Sequence, residues 1–451
     1  MKLTYDVKDK PKFGQLIVFA FQQLLAILAA TIAVPSIVQN GMSQSAALFG
    51  AGVGTIVYLI FTKFRSPVFL GSSFAFLGSM SAAFAGAYAE SAAGHAGLIL
   101  GAIFAGLVYV VIAIAVKIAG VKWINKIMPA VVIGPTVSII GLSLAGNAIG
   151  DLTNSAGAST ASPYVCIICG LVTLFTVVIC SVYGKKTAKL IPFIIGIIAG
   201  YIVAAIFTVI GMKTGNDLLK VIDFSIFSGM KIFSVPDFTF MKAIKGIKDI
   251  DGSYIASIAV AYVPVAFVVF AEHIADHKNL SSVIGKELLE DPGLHRTLLG
   301  DGVGSMVGAV FGGCPNTTYG ESVGCVAITG NASVVTILTT AIMAMVISFF
   351  GPFVTFLSSI PSCVMGGVCI TLYGFIAVSG LKMIQVVDLE ANKNLFVVAV
   401  ILICGIGNLS ISFGKVTLTS IACALILGII TNAVLHRGDK EEAELDETKD
   451  R

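Results

Sequence analysis

The chain has 451 residues, of which 57% are hydrophobic and only 12% are charged, and its mean hydropathy is +0.97. Soluble domains carry about 25% charged residues, so this composition predicts an all-α polytopic membrane protein. The net charge is only +3, and there is no basic patch interleaved with aromatic residues, so nucleic acid is not an expected partner. The nine cysteines lie mostly in apolar stretches. We therefore interpret even the pair Cys166 and Cys169 as small hydrophobic side chains.

We interpret fourteen apolar stretches along the chain as membrane spans, each of which needs about 20 apolar residues for a full crossing. In chain order the predicted spans are residues 13–35, 44–62, 67–88, 95–117, 125–147, 163–183, 189–211, 254–275, 297–313, 317–330, 333–359, 362–381, 394–411 and 416–435. The longest polar insert, residues 213–252, mixes lysines with phenylalanines. It is typical of a surface loop with an interfacial amphipathic piece.

Lysine and arginine in the short loops predict the orientation of the spans. Residues 2–12 before the first span are basic, and the later basic loops are residues 63–65, 117–126, 185–189, 278–296 and 382–393. The loops at 87–95 and 147–162 contain neither residue type. All short basic loops then fall on one side, which should be cytoplasmic. We expect a multi-pass protein of the cytoplasmic membrane with both termini inside the cell.

Residues 312–322, Gly-Gly-Cys-Pro-Asn-Thr-Thr-Tyr-Gly-Glu-Ser, interrupt the apolar pattern. They put a carboxylate, Glu321, and the helix-breaking Pro315 where a membrane helix would otherwise continue. An ionisable group at that depth is costly and indicates function, and a broken backbone is tolerated there only inside protein or beside a cavity. In carriers, interrupted helices mark the substrate site. The alternative interpretation is a tight loop outside the bilayer with a solvated Glu321.

Seven spans before the polar insert and seven after it predict two halves of opposite orientation. The third and tenth spans would then be equivalent. The third contains Gly71-Ser72-Ser73-Phe74-Ala75-Phe76, a second interruption by small polar residues. We expect short extended segments to break both spans, near Ser73 and Thr318, and a midplane site to lie between them.

The eighth span ends in a second carboxylate, Glu272, followed by His273, Asp276 and His277. Glu272 and Asp276 are four residues apart and share a helix face. Desolvation and a like-charge neighbour favour the protonated form of Glu272, so we predict that it accepts a proton. Asp276 either tunes Glu272 or lies, with His277 and Lys278, at the solvated end of the helix. The order of the histidines differs from the His-Glu-x-x-His motif of zinc hydrolases, so no metal is expected.

These residues resemble the bacterial uracil permeases of the nucleobase–ascorbate transporter (nucleobase:cation symporter-2) family. The resemblance covers nearly the whole chain. It is carried by Glu272-His273, residues 291–296 (Asp-Pro-Gly-Leu-His-Arg), residues 316–321 (Asn-Thr-Thr-Tyr-Gly-Glu), residues 71–76, and residues 361–368 (Pro-Ser-Cys-Val-Met-Gly-Gly-Val). It implies a fold of fourteen transmembrane segments in a seven-plus-seven inverted repeat, divided into a core and a gate domain. Proton-coupled uptake of uracil and a homodimer are implied too.

The resemblance and the spans together predict the domain boundaries. The core domain would comprise residues 1–117 (spans 1–4), 254–332 (spans 8–10) and 333–359 (span 11); the gate domain would comprise 118–253 (spans 5–7 and the extracellular insert) and 360–436 (spans 12–14); residues 437–451 would form a cytoplasmic tail.

The resemblance also implies roles for individual residues. Glu272 and Glu321 would hold the base, and the backbone N–H groups of Phe74 and Gly320 would donate to its carbonyls. Tyr319 and Tyr373 would complete the substrate site, Tyr373 from the gate side. Uracil permeases often carry His where this chain has Asp276, which changes the expected proton path. They also often carry Gln-His where this chain has residues 22–23, Gln-Gln.

The chemistry of uracil suits such a site. Its ring is flat and neutral, with two N–H donors and two carbonyl acceptors, which match carboxylates and free backbone N–H groups. Two nearby carboxylates titrate as a coupled unit, so one can carry a proton while the other binds the base.

Three rival functions stay open at this point: a carrier for another nucleobase such as xanthine, a membrane-embedded enzyme, and a channel. The sequence contains no nucleophile–base or metal-ligand constellation, so neither catalysis nor a cofactor is predicted.

Overall fold

The computed structural model describes residues 3–85, 92–120, 129–154, 161–185, 187–413 and 416–435. The protein is mostly helical and polytopic, as predicted. Eight of the described helical stretches, with Ala130–Leu152 counted as one, are long and apolar enough to cross a membrane. The predicted tail at 437–451 and the start of the fifth span lie outside the described residues, as do parts of the loops at 87–95 and 147–162.

The described helices, in chain order, are α1 (Phe13–Val38), α2 (Gln44–Phe61), α3 (Leu77–Ala83), α4 (Ala92–Ala119), α5 (Ala130–Ser143), α6 (Ala145–Leu152), α7 (Pro163–Tyr183), α8 (Thr187–Leu190), α9 (Pro192–Thr214), α10 (Thr239–Gly246), α11 (Gly252–Ile284), α12 (Leu294–Gly312), α13 (Gly320–Thr329), α14 (Val334–Ile347), α15 (Gly351–Ser359), α16 (Ser362–Ile384), α17 (Asn392–Ile406) and α18 (Ser420–Leu435). The short strands are β1 (Leu70–Ser72), β2 (Asn316–Thr318), β3 (Ile411–Phe413) and β4 (Val416–Leu418), and a 3₁₀ turn at Phe74–Phe76 leads into α3.

Several predicted spans differ from the structure in their continuity or length, and the eleventh and the eighth are two of them. The eleventh, predicted as one span at 333–359, is two helices, α14 and α15, because the second starts anew at Gly351-Pro352, where proline suits a first helical turn. The eighth, predicted to end at residue 275, continues as α11 to Ile284. No glycine or proline occurs between Pro264 and Gly285, and Gly285 ends the helix with a left-handed φ of 67°.

Close helix contacts in the interior depend on glycine. A Cβ on Gly50 of α2 would lie 2.4 Å from the carbonyl oxygen of Gly308 on α12, and Gly54 meets Gly304 in the same way. Small residues at matching positions let two membrane helices approach closely. α12 is thereby held between α2 and α4, and α11 also packs on α4. A second set of contacts joins α16 to α5 and α7, and α17 to α18.

The two interrupted segments pair with each other. β1 and β2 are antiparallel, with Leu70 opposite Thr318 and Ser72 opposite Asn316. The pairing satisfies backbone groups that a continuous helix would have satisfied internally. Each strand is followed, after one residue, by a helical turn. Because the strands are antiparallel, the two helix N-termini lie at opposite ends of the strand pair.

Candidate functional site

Extended breaks occur in the third and tenth predicted spans, at the predicted places. Buried side chains hold the crossing, by which we mean the place where β1 and β2 pair. Thr55 Oγ1 accepts a hydrogen bond from the backbone N–H of Leu70 at 2.9 Å, and Ser322 Oγ accepts one from that of Phe69 at 3.0 Å. The Nδ2 group of Asn316 donates to the carbonyl of Gly50 at 3.1 Å. The breaks are therefore built into the packed interior of the protein and not into an exposed loop.

Phe74 and Gly320 are the first residues of the two helical segments that follow the breaks. N–H groups in the first turn of a helix have no acceptor within that helix, and the N-terminus carries a partial positive charge. The paired breaks thus present two backbone donors in the interior, one from each of the helical segments that follow them. Gly320 is exposed there and Phe74 is 9% exposed.

A cavity of about 400 Å³ opens where the crossing faces α11 and α16. Its lining residues are Ser73, Phe74, Ala75, Phe193, Glu272, Ala275, Asp276, Thr317, Thr318, Tyr319, Gly320, Glu321, Leu372, Phe375, Ile376, Ser379 and Met383. It therefore brings together six of the seven predicted site residues: Glu272, Asp276, Glu321, Phe74, Gly320 and Tyr319.

Three carboxylates converge on this cavity from two elements. Glu272 and Asp276 lie one turn apart on α11, and Glu321 lies in the first turn of α13. Within the described part of the chain, no other residue donates a side-chain or backbone hydrogen bond to Glu272 or Glu321, whereas Asp276 accepts one from Thr318 at 2.8 Å. The cavity wall can thus accept hydrogen bonds from N–H donors on a ligand and donate to its carbonyls.

The two tyrosines have different positions. Tyr319 borders the cavity, but its ring packs against Gly71 and its hydroxyl donates to the carbonyl of Ser72 at 2.8 Å. The side chain thereby ties one break to the other. Tyr373 is buried and is absent from the cavity wall; its ring packs edge-on against that of Phe74, with centroids 6.0 Å apart. Tyr373 thus touches the predicted site through Phe74.

The interpretation of Asp276 and His277 as the solvated end of a helix is wrong. α11 continues past both, Asp276 faces the cavity, and His277 is 0% exposed. The sequence-based prediction ended the helix where the hydropathy fell. The polar residues instead continue into the interior because they have partners there, for example the hydroxyl of Tyr58, which lies 2.7 Å from Nε2 of His277.

Sequence reasoning missed the wall of the cavity opposite the crossing. Phe193 from the start of α9 and Phe375, Ser379 and Met383 from α16 form much of it. These side chains carry no signal that separates them from lipid-facing residues of the same spans. Thr318 was also missed, although its place in the interrupted segment beside Tyr319 could have indicated it.

Comparison with known proteins adds a family relationship. The family model described as "Permease family" (Xan_ur_permease) matches residues 14–412. The chain is 38% identical to the uracil permease of Bacillus caldolyticus over 437 residues, which cover 96% of this chain and 95% of that protein. It is 37% identical over 454 residues to the uracil permease of Bacillus subtilis (strain 168), with 99% and 98% covered.

Solved structures show the fold. The transmembrane domain of the cyanobacterial bicarbonate transporter BicA matches with a TM-score of 0.59 at 15% identity, covering 94% of this chain and 98% of that one. The murine anion transporter Slc26a9 in its inward-facing state matches with a TM-score of 0.63 at 12% identity, covering 96% and 69%. The chain thus shares the fold of these membrane transporters.

Proposed function

The chain belongs to the Permease family and is a transporter rather than an enzyme, and from this premise we propose that it imports uracil by proton symport across the cytoplasmic membrane. The observation that carries the proposal is the cavity at the crossing of two interrupted segments, where three carboxylates and two helix N-termini converge. That combination is typical of the midplane substrate site of secondary carriers.

In the proposed complex, Glu272 and Glu321 accept hydrogen bonds from the ring N–H groups of uracil. The backbone N–H groups of Phe74 and Gly320 donate to its carbonyls. Tyr319 holds the two breaks together, and Tyr373 supports the ring of Phe74. A site of this kind discriminates well, because an analogue that lacks one group leaves a buried partner unpaired.

Proton coupling would depend on the carboxylates of α11. Glu272 is the proposed proton acceptor, and Asp276, one turn away, is the residue that tunes it. Since like charges in one cavity oppose full ionisation, binding of the base and binding of a proton become linked.

The proposed architecture has fourteen spans in two inverted halves, with the core and gate boundaries predicted above, cytoplasmic termini and a homodimeric assembly. The matching breaks at β1 and β2 support the repeat. The cavity extends to Phe193, which follows the basic loop at 185–189, and to Met383, at the end of α16 where the basic segment 382–393 begins. In the proposed orientation these loops are cytoplasmic, so we infer that the cavity faces inward.

The test uses purified protein in liposomes. With an inward proton gradient we expect accumulation of labelled uracil that a protonophore abolishes, and counterflow exchange without a gradient. Unlabelled uracil should compete strongly and xanthine weakly. Stronger competition by xanthine would favour the other-nucleobase alternative, and uptake without counterflow would indicate a channel. No exchange of any nucleobase would refute the proposal.

A further inference from the structure

Asp276 of α11 is anchored by Thr318, a residue of the second interrupted segment. The hydroxyl of Thr318 donates to Oδ2 of Asp276 at 2.8 Å, and it is the one hydrogen bond to this carboxylate among the described residues. Thr318 is 7% exposed and belongs to β2, where it pairs with Leu70 of β1. The position of its hydroxyl is therefore fixed by the crossing of the two breaks.

This bond determines where the other oxygen of Asp276 lies. Oδ1 faces Gly320, and a Cβ built on Gly320 would be 3.8 Å from it. Gly320 begins α13 and lines the cavity. Asp276 is thus held with one oxygen on the strand and the other beside a backbone donor of the proposed uracil site.

The surroundings of Asp276 explain why this donor matters. The acidic groups nearest to it are Glu272 on its own helix, Glu321 on α13 and Asp301 on α12. His273 and His277 of α11 are buried and bonded to other partners. In this acidic setting the Thr318 hydroxyl is the described group that donates to the charged carboxylate. Hydrogen bonds to an ionised acceptor are stronger than neutral ones.

We propose that Thr318 is a positioning residue for proton coupling, which acts through Asp276 and sets the pH range of uptake. The inference rests on the proposed function. The hydroxyl stabilises the charged form of Asp276 and keeps Oδ1 directed at the site. Without it, the carboxylate retains its proton to a higher pH.

The test compares Thr318→Val, which removes the hydroxyl at nearly constant volume, with Thr318→Ser, which keeps it. In liposomes, the pH profile of uracil uptake should shift by about one unit to higher pH for Thr318→Val, the size expected for loss of one charge-assisted hydrogen bond. Thr318→Ser should follow the unsubstituted protein. Thr339→Val is the matched control, because among the described residues the hydroxyl of Thr339 bonds only to the carbonyl of Val335 on its own helix.

A double substitution separates positioning from packing. In an Asp276→Asn background, Thr318→Val should produce no further shift, since the residue through which it acts has lost its charge. If Thr318→Val fails to fold, Thr318→Ala serves the same comparison. An unchanged profile for the hydroxyl-free variant, or an equal shift in the Asn background, would overturn the inference. Counterflow of uracil by the unsubstituted protein is measured as a separate experiment. Absence of counterflow there would refute the proposed uracil transport itself.

Discussion

Two faces of α11 carry ionisable residues in different surroundings. On one face, Glu272 and Asp276 border a cavity and receive a single hydrogen bond from another described residue. On the other, His273 and His277 are 1% and 0% exposed. Nδ1 of His273 lies 2.7 Å from Oδ2 of Asp301, and Nε2 lies 2.9 Å from the hydroxyl of Thr297.

The two faces teach how to separate a binding site from a structural network. A buried polar group costs free energy unless it is hydrogen-bonded. The histidine face meets that requirement with partners from the protein, so its role is to hold α11 against α2 and α12. The carboxylate face leaves acceptors directed at a cavity, and those are the groups that a ligand with N–H donors can use.

The largest effect is expected at Glu272. Glu272→Gln removes the proposed proton acceptor, so gradient-driven accumulation of uracil in liposomes should be abolished. Counterflow, which needs no net proton movement, should persist at a reduced rate. If the variant accumulates uracil nearly as well as the unsubstituted protein, another residue couples proton movement to uptake. The carboxylate face of α11 would then differ from the histidine face in no functional respect that this variant tests.

Glu321→Gln should weaken uracil binding about tenfold or more, since part of an N–H acceptor becomes a donor and a buried group loses its partner. Equilibrium binding to purified protein measures this. The melting temperature without ligand should change little, because no other described residue hydrogen-bonds the Glu321 carboxylate. Near-normal uracil binding by Glu321→Gln would refute the assignment of Glu321 to the substrate site.

Asp301→Ala tests the paired face. It leaves Nδ1 of His273 without its buried hydrogen-bond partner, which should reduce the free energy of unfolding by about 1–3 kcal/mol. A thermal melt in detergent without ligand is the measurement, with Glu321→Gln as the comparison variant. Equal melting temperatures for the two variants would show that the histidine network contributes no more stability than the cavity face.

Local signals explain what could be predicted of the site. Small polar residues and Pro315 indicated the two breaks, and four-residue spacing indicated that Glu272 and Asp276 share a face. The burial of His277 depends on Tyr58 and Ser66, which are more than 200 residues away in sequence. Long-range partners of this kind leave no periodic signal in a single sequence. For the same reason the sequence did not predict the part of the cavity wall that α9 and α16 form.

The smallest effect is expected where a charged pair is bonded but exposed. Before α1, Asp6 pairs with Lys286 at 2.6 Å, with side-chain exposures of 46% and 45%, and the N-terminal backbone pairs with residues 330–334. The hydrogen bond from Lys286 lowers the pKa of Asp6 below its usual value.

A lowered pKa means that the pair stabilises the fold above the unfolded-state pKa of Asp6 and loses that contribution as the pH falls through the folded-state value. Lys286→Ala should therefore reduce the free energy of unfolding near neutral pH by less than about 1 kcal/mol, seen as a slightly lower melting temperature. The difference from the unsubstituted protein should vanish in acid. Uptake should be almost unchanged, since the pair lies away from the cavity. A destabilisation as large as that of Asp301→Ala would show that exposure does not separate weak from strong pairs in this protein.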